Sequence, residues 1–140
     1  MNIKILVICT GNSCRSQMAE GYLRSFDKTI EVRSAGTRPE KMVNPFAVIV
    51  MKEVGIDISN QTPDHVDKYS GEEWDYVVTV CDGAKETCPV FTGKVKHRLH
   101  IGFEDPADAV GSEEEVIAVY RRVRDQIKDG FGGFYNEILK

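Results

Sequence analysis

The segment from residue 9 to residue 16, CTGNSCRS, places a thiol and a guanidinium near the two ends of a short loop. Cys9 follows an apolar run, and Arg15 precedes a stretch with helical periodicity. Backbone N–H groups of such a loop can converge as an anion-binding nest, to which the following helix adds its positive end. The Arg15 guanidinium can bind two oxygens of a tetrahedral oxyanion at once. The segment therefore predicts an oxyanion site built from Thr10, Gly11, Asn12, Ser13, Cys14, Arg15 and Ser16.

Cys9 is the expected nucleophile of this site. The positive field of the loop favours its thiolate form, and the Ser16 hydroxyl is placed to donate a hydrogen bond to the sulfur. We expect Gly11 to supply the positive φ of a tight turn. The alternative, a buried structural cysteine beside an incidental arginine, leaves the glycine and the polar residues of the loop unexplained. Cys14 lies between the working residues and is expected to be a small buried hydrophobe.

Cys81 and Cys88 lie on one loop that contains Gly83 and ends at Pro89. Cys81 follows a second apolar run, so both it and Cys9 are expected directly after buried strands. Two thiols on one such segment can approach disulfide distance, and three thiols could pass oxidation from a buried site to the surface by successive exchange. By itself the pair fits two unpaired cysteines equally well. Beside an activated Cys9, a thiol relay is the better interpretation.

A reaction at Cys9 needs a general acid on the opposite side of the site, to protonate the departing oxygen. The segment Phe103-Glu104-Asp105-Pro106 follows the last predicted strand. Asp105 is the predicted general acid, because the carboxyl end of that strand should face the same site. Glu104 is a close competitor, and an Asp-Pro turn by itself is an ordinary structural feature.

Apolar, β-prone runs alternate with amphipathic helical patterns along the chain. This order predicts a single α/β domain over residues 1–140, with a four-stranded parallel sheet flanked by helices and a site at the carboxyl ends of the strands. Strands are expected at Ile3 to Ile8, around Ile30 to Ser34, at Asp75 to Val80 and at Val95 to Leu99, and a first helix at Ser16 to Phe26.

Three further helical segments can be placed. Asn44-Pro45 is a good helix start and Gly55 a stop, and the helix between them is expected to bury Phe46, Ile49, Val50 and, at its end, Val54. Ser112 to Glu115 fits a capping box that begins a long helix. The tail from Phe131 to Leu139 is expected to form a final short helix. The arginines of the long helix are interpreted as a solvated face: Arg121, Arg122 and Arg124.

The chain has 140 residues, four cysteines and a formal net charge of −4. This charge argues against nucleic acid or anionic lipid as the main partner. No apolar run approaches the roughly 20 residues of a membrane span, and no export signal is recognisable. We therefore expect a cytoplasmic protein whose cysteines are catalytic or redox thiols. Their spacing does not fit a zinc knuckle, and the histidines are expected at the surface or in packing: His65, His97 and His100.

These segments together resemble the thioredoxin-coupled arsenate reductases, which share the fold of the low-molecular-weight protein tyrosine phosphatases. The resemblance covers nearly the whole chain, through CTGNSCRSQMAEG at 9–21, RSAGT at 33–37, NPFAVIVMKEVGIDISNQTPD at 44–64, VVTVCDGAKETCP at 77–89 and FEDPA at 103–107. Both families share the Cys-x5-Arg loop. The Cys81/Cys88 spacing is typical of the reductases, whereas the phosphatases typically carry tyrosines where Ala107 and Asp108 stand here.

The resemblance implies a mechanism. Cys9 would attack arsenate held by the loop and Arg15, with Asp105 as proton donor to the leaving oxygen. Cys81 would then attack the Cys9–arsenic adduct and release arsenite, and Cys88 would open the resulting Cys9–Cys81 disulfide. Thioredoxin would reduce the final Cys81–Cys88 disulfide. Phosphate or sulfate would bind as analogues of arsenate, and a monomer is expected.

Some proteins of this kind also bind a potassium ion beside the loop. The matching positions offer the hard oxygen ligands that an alkali cation needs: Asn12, Glu20, Ser34, Thr62 and Asp64. Alternatively, Asn12 and Ser34 only brace the loop by hydrogen bonds. No tightly bound cofactor is otherwise expected. The chain departs from the family at Ile101 and Gly102, where a tryptophan is common, and at Glu104, where an aspartate is common.

Two other functions stay open. A phosphatase that hydrolyses phosphate monoesters through a phosphocysteine at Cys9 would use the same loop, because phosphate and arsenate are alike in shape and charge. Weak phosphatase activity is therefore expected even of a reductase. A thiol protein that senses arsenite or redox state would have no use for Arg15.

Overall fold

A computed structural model describes residues 2–83, 86 and 89–139. These residues form four strands and three α-helices: β1 (Lys4–Cys9), α1 (Arg15–Phe26), β2 (Glu31–Gly36), α2 (Pro45–Glu53), β3 (Trp74–Thr79), β4 (Val95–His100) and α3 (Glu113–Phe134). Short 3-10 helices span Val66–Tyr69 and Pro106–Asp108, and a π-helical segment, Tyr135–Leu139, follows α3. The predicted strands and the first helix lie within two residues of these bounds.

All strand pairs are parallel, and the order in the sheet is β2-β1-β3-β4. The chain runs from β1 to one side of the sheet and then to the other, so the order reverses between β1 and β3. This reversal is where ligands bind in open α/β sheets, outside the carboxyl ends of the strands. The register pairs Cys9 with Gly36 and Ile8 with Thr79, which brings three strand ends to one edge. The predicted fold class is confirmed.

Alternate residues of β1 face opposite sides of the sheet, as the two-residue period of a strand requires. Ile5, Val7 and Cys9 belong to the core cluster that packs against the helices, together with Met18, Leu23, Val123, Ile127 and Phe131. Leu6 and Ile8 belong to a smaller cluster on the other face, with Ala35, Tyr69, Trp74, Val77 and Phe91. Both faces of β1 are covered, and its five residues after Lys4 are apolar and buried.

The helix α2 begins as predicted. The Asn44 side chain accepts a hydrogen bond from the Phe46 N–H at 2.9 Å, Pro45 occupies the first turn, and Gly55 follows the helix at a φ of 81°. A proline here costs no hydrogen bond, because the first N–H groups of a helix have no partner within it.

The predicted buried face of α2 is wrong in part. Val50 is buried together with Ala47 and Met51, but Ile49 is 45% exposed and Val54 is 41% exposed. Most residues of α2 are apolar, so the sequence pattern could not select one face. Packing against α3 and α1 makes that selection.

The helix α3 begins with the predicted capping box. The Glu115 N–H donates to the Ser112 hydroxyl at 3.2 Å, and the Ser112 N–H donates to the Glu115 carboxylate at 3.3 Å. The prediction of a separate final helix from Phe131 is wrong, because α3 continues through Gly130 to Phe134. Phe131 and Phe134 are buried: Phe131 stacks on Phe103, and Phe134 meets Tyr76 and Phe131 edge-on. This packing outweighs the low helix propensity of the glycines.

The interpretation of the α3 arginines as one solvated face is also corrected. Arg121 and Arg122 are exposed, but Arg124 is only 9% exposed. Arg124 Nη1 donates to the Val50 carbonyl at 2.9 Å and to the Glu53 carboxylate at 2.8 Å. A cation at the carboxyl end of α2 satisfies carbonyls that the helix itself cannot.

None of the helices in the described ranges is long and apolar enough to cross a membrane. The three histidines, on β4 and before the first 3-10 helix, are exposed as expected: His65, His97 and His100.

Candidate functional site

The loop between β1 and α1 turns at Asn12. Its φ is 50°, whereas Gly11 does not adopt a positive φ, so the sequence-based expectation for Gly11 is wrong. Asparagine tolerates the left-handed conformation better than most residues. The fully buried Asn12 side chain also secures the turn: its Nδ2 donates to the Ser16 hydroxyl at 2.7 Å, and its Oδ1 accepts from the Asp64 N–H at 2.8 Å.

Cys9 ends β1 directly before this loop and is 2% exposed. The Asn12 N–H donates to the Cys9 sulfur at 3.2 Å, and the Ser16 hydroxyl oxygen lies 3.0 Å from it. Since Ser16 Oγ already accepts from Asn12, its own hydrogen is free to point at the sulfur. Two hydrogen-bond donors thus converge on the Cys9 sulfur.

Arg15, Arg38 and the start of α1 supply the positive charge of the site. Arg15 is 3% exposed, and its Nη1 donates to the Phe103 carbonyl at 3.1 Å. Burial opposes the charge on Arg15, but Asp105, Glu86 and Cys9 outweigh it and raise the pKa of the guanidinium. The residue that caps α1, Cys14, makes no capping side-chain hydrogen bond, and the first turn carries no acidic residue. Because no acidic side chain of this turn offsets it, the positive end of the α1 dipole adds positive potential to the loop.

These groups line a cleft of about 390 Å³. Its floor is the loop from Cys9 to Arg15, and its walls include Arg38, Glu40, Glu86 and Asp105. Every residue predicted for oxyanion binding lines this cleft, except the buried Ser16, which reaches it through the Cys9 sulfur.

Cys14 is a buried thiol, as expected, at 3% exposure. Burial raises the pKa of Cys14 to about 11, although hydrogen bonds with Ser13 and Tyr120 act in the opposite direction. At neutral pH the thiol is protonated and poorly nucleophilic. The two cysteines of the loop thus lie in different surroundings: the Cys9 sulfur meets the Asn12 N–H and the Ser16 hydroxyl, whereas Cys14 contacts the Ser13 and Tyr120 hydroxyls.

Cys81 lies two residues after the end of β3 and is fully buried. The Val80 N–H donates to the Ile8 carbonyl at 3.0 Å, so Cys81 leaves the sheet beside Cys9. Cys81 is disulfide-bonded, whereas Cys9 and Cys14 are free thiols. Cys88 lies outside the described residues.

Asp105 and Glu104 are separated by the fold. An Asp105 oxygen lies 3.5 Å from Arg15 Nη2, at the wall of the cleft, and the other accepts from the Ala107 N–H at 3.0 Å. Glu104 instead binds Arg122 on α3, at 2.6 Å. The geometry favours Asp105 over Glu104 as the acid beside Cys9, because only Asp105 reaches the arginine that would hold the oxyanion.

Sequence reasoning missed two residues that shape the loop. Gln17 is fully buried, and its Nε2 donates to the Asn12 carbonyl at 2.9 Å and to the Thr62 carbonyl at 3.1 Å. A Cβ on Gly36 would lie 2.2 Å from the Thr10 carbonyl oxygen, so only glycine allows β2 to approach the loop this closely. Both residues lie in segments that carry the family resemblance, at 9–21 and 33–37, but no local pattern assigns either of them a role in the loop.

The residues predicted for potassium meet beside the loop, but their oxygens already have protein partners. One Glu20 oxygen accepts from the Ser34 hydroxyl at 2.6 Å, and the other lies 2.6 Å from Arg24 Nη2. The Asn12 side-chain oxygen accepts from the Asp64 N–H at 2.8 Å. These contacts match the alternative in which Asn12 and Ser34 brace the loop.

The other two predicted potassium ligands, Thr62 and Asp64, also have protein partners. The Asp64 carboxylate accepts from Tyr69 at 2.7 Å, lies 3.3 Å from the Thr62 hydroxyl and lies 3.5 Å from Lys68 Nζ. In the part of the chain that is described, no group of three His, Cys, Asp or Glu side chains is arranged to hold a metal ion. The donor set fits a further cation poorly, because Arg24 and Lys68 already supply positive charge there.

The profile of the low molecular weight phosphotyrosine protein phosphatases matches residues 4–140. An arsenate reductase of Halalkalibacterium halodurans is 51% identical over 129 residues, which is 91% of both chains. An arsenate reductase of Bacillus subtilis (strain 168) is 52% identical over 124 residues, which is 88% of both chains.

Solved structures agree with these matches. An arsenate reductase in the phosphate binding state has a TM-score of 0.80 at 32% identity, over 97% of this chain and 98% of the other. A low molecular weight protein tyrosine phosphatase from T. tengcongensis has a TM-score of 0.73 at 25% identity, over 98% and 100% of the two chains. The family predicted from the motifs is confirmed: the chain belongs to the low molecular weight phosphotyrosine protein phosphatase family and, within it, to the arsenate reductases.

Proposed function

We propose that this chain reduces arsenate to arsenite with the thiols of Cys9, Cys81 and Cys88. Relatives that are 51% and 52% identical are named arsenate reductases. The observation that carries the proposal is the position of Cys81, which leaves β3 beside the end of β1 and therefore beside Cys9. Phosphate ester hydrolysis needs no second cysteine at this place, whereas a thiol relay does.

The chemistry balances with two thiols. The Cys9 thiolate displaces one oxygen of arsenate, which leaves as water after protonation, and forms a sulfur–arsenic(V) bond. The Cys81 thiolate then attacks the Cys9 sulfur. The electron pair of the sulfur–arsenic bond stays with arsenic, which leaves as arsenic(III) in arsenite, while a Cys9–Cys81 disulfide forms. One arsenate and two thiols thus give one arsenite, one water and one disulfide, and Cys88 frees Cys9 by exchange.

The loop residues would stabilise the charge of this step. Arg15 and the loop from Thr10 to Cys14 line the cleft in front of Cys9. Donors fixed in such a loop would need no reorganisation during the reaction. Asp105 lies 3.5 Å from Arg15 Nη2, within reach of an oxygen held by that guanidinium. We propose that Asp105 protonates the departing oxygen.

We further propose that a thioredoxin-type dithiol protein is the reductant, that the chain works as a monomer and that its compartment is the cytoplasm. A relay through Cys9, Cys81 and Cys88 needs a reducing compartment, in which its disulfide can be returned to thiols. The apolar residue Val90, two positions after Cys88, is 80% exposed and offers a contact for a partner that must reach that cysteine.

A coupled assay tests the reductase function. NADPH consumption in the presence of thioredoxin and its reductase should depend on arsenate. The Cys88→Ser variant should stop after one turnover with a Cys9–Cys81 disulfide, visible by peptide mapping, whereas the neighbouring Thr87→Ser change should leave cycling intact. Normal cycling of Cys88→Ser would contradict the relay.

A phosphatase is the second candidate, because the family profile and the Cys9–Arg15 loop serve phosphate as well. Phosphate monoesters would form a phosphocysteine at Cys9, which water would hydrolyse. Rapid hydrolysis of an aryl phosphate, without arsenate turnover in the coupled assay, would establish the phosphatase in place of the reductase.

For the cofactor, we propose that Arg24 takes the place of potassium. Its guanidinium binds the Glu20 carboxylate at 2.6 Å and the Val32 carbonyl at 3.1 Å. Arsenate turnover and the melting temperature should therefore be equal in potassium chloride and N-methylglucamine chloride of the same ionic strength. Arg24→Gln should gain a potassium dependence. A potassium-specific rise in the melting temperature of the unchanged protein would restore the original prediction.

A further inference from the structure

Glu86 reaches into the oxyanion site from the segment between Cys81 and Cys88. Its Oε1 lies 2.9 Å from Arg15 Nη2, closer than the Asp105 oxygen at 3.5 Å. Glu86 also lines the cleft in front of Cys9, and its backbone N–H donates to the Asp82 carbonyl at 2.9 Å. The Glu86 carboxylate thus forms an ion pair with the guanidinium that would bind an oxyanion.

The contact is an ion pair of poor alignment. Glu86 Oε1 is buried, yet within the described residues it has no partner with hydrogen-bond geometry, in spite of the short distance to Arg15. A buried carboxylate oxygen with an imperfect partner is only weakly stabilised. A tetrahedral oxyanion can instead take two parallel hydrogen bonds from the guanidinium, together with the N–H groups of the loop. The oxyanion can therefore displace Glu86, but it must compete with it.

We propose that Glu86 is an internal competitor for the oxyanion site in the form of the protein in which Cys81 is disulfide-bonded. Glu86 belongs to the segment between the two relay cysteines, Cys81 and Cys88. A change in the redox state of these cysteines therefore acts on the segment that carries the competing carboxylate. The consequence is that abundant oxyanions such as phosphate bind weakly to molecules that cannot yet turn over. The inference rests on Arg15 as the anion ligand of the proposed function.

Protection of Cys9 from alkylation measures the competition. The disulfide form of the full chain is treated with iodoacetamide at neutral pH over a range of inorganic phosphate concentrations, and peptide mapping assigns the modified cysteine. Cys14 should not interfere, because burial raises its pKa to about 11. The phosphate concentration that halves the rate at Cys9 gives the apparent dissociation constant.

Three variants separate the direct contact from a change in overall charge. Glu86→Gln should bind phosphate about fivefold more tightly, the upper end of the range for an ion pair that is in part exposed to solvent. Glu86→Asp keeps the charge but shortens the side chain, so it should approach Glu86→Gln. Glu104→Gln removes a carboxylate that binds Arg122, and it should stay within about twofold of the unchanged protein.

The outcomes are distinct. Equal phosphate affinity of Glu86→Gln and the unchanged protein would overturn the proposal while leaving the oxyanion site intact. An equal gain in Glu86→Gln and Glu104→Gln, with none in Glu86→Asp, would also overturn it, because it would reveal a general charge effect. Absence of phosphate protection in every variant would instead contradict the oxyanion site and the proposed function.

Discussion

Asn12 and Cys9 show how single side chains determine the chemistry of the loop. The left-handed backbone at Asn12 costs on the order of 1 kcal/mol for a residue other than glycine. Glycine would adopt it freely but would lose the amide that binds Ser16 and Asp64. That amide in turn orients the hydroxyl beside the Cys9 sulfur, so the strained residue and the nucleophile form one hydrogen-bonded unit.

The two neighbouring carboxylates, Asp105 and Glu104, allow a matched test of the acid. Asp105→Asn should slow arsenate reduction in the coupled assay by about 100-fold, because general acid catalysis typically contributes 10²–10⁴-fold. Glu104→Gln should leave the rate unchanged, since Glu104 binds Arg122. The opposite pattern, with Glu104→Gln slow and Asp105→Asn unaffected, would show that the acid is assigned to the wrong residue.

The end of β2 supports the loop through a close backbone approach. Gly36 pairs with Cys9 in the sheet, its N–H donates to the Asp64 carbonyl at 2.9 Å, and its Cα lies against the Thr10 carbonyl. The segment after β2 continues this support, because the Arg38 N–H donates to Thr10 and the Glu40 N–H donates to Gly11, both at 2.9 Å. The loop is thus held by backbone contacts from a neighbouring element as well as by its own side chains.

Gly36→Ala should therefore displace the loop. The added Cβ would lie 2.2 Å from the Thr10 oxygen, a contact that only backbone movement can relieve, so we expect a loss of stability of about 2 kcal/mol and of most arsenate turnover. Gly71→Ala is the matched control, because nothing lies within 4 Å of its added Cβ. Urea unfolding and the coupled assay measure both effects. A fully active Gly36→Ala protein would show that the loop tolerates the shift.

The stability of the whole molecule depends on carboxylates that are bound in the folded state. Asp75 links three strands: one oxygen accepts from the Lys4 N–H of β1 at 2.8 Å, and the other lies 3.2 Å from Lys96 Nζ on β4. The Lys4 N–H and Lys96 lower the pKa of Asp75. Hydrogen bonds lower the pKa of three further carboxyls as well: Asp27, Glu53 and Asp57.

These shifts predict acid sensitivity. Because the folded pKa lies below the unfolded value, the unfolded chain binds protons first as the pH falls. The stabilisation is present above the unfolded value of about 4 and is lost as the pH falls through the folded pKa. The free energy of unfolding in urea should therefore decrease on acidification below about pH 4, and Asp75→Asn should decrease less steeply. Glu137→Gln, an exposed change near the end of the chain, should retain the steep decrease. An equal slope for Asp75→Asn would contradict this assignment.

The order of strands and helices and the helix caps follow from the sequence alone, which also predicts the chemistry of the Cys9 loop. Each depends on neighbours in the chain: the alternation of apolar runs, the capping residues Asn44 and Ser112, and the spacing of Cys9 and Arg15. The motifs also identified the family, since the segment with Cys81 and Cys88 adds to the loop a pattern that a phosphatase does not need.

The tertiary structure is needed to find the features of the site that depend on contacts between residues far apart in the chain. It placed the positive φ at Asn12, because Asp64 and Ser16 hold that side chain. In the fold, Asp105 contacts Arg15, whereas Glu104 contacts Arg122. Arg124 is buried against α2. The fold also brought Glu86 to Arg15, a contact across 71 positions of sequence that no local pattern encodes. Local sequence propensity determines where helices and strands form, whereas tertiary packing determines which groups a buried charged side chain contacts.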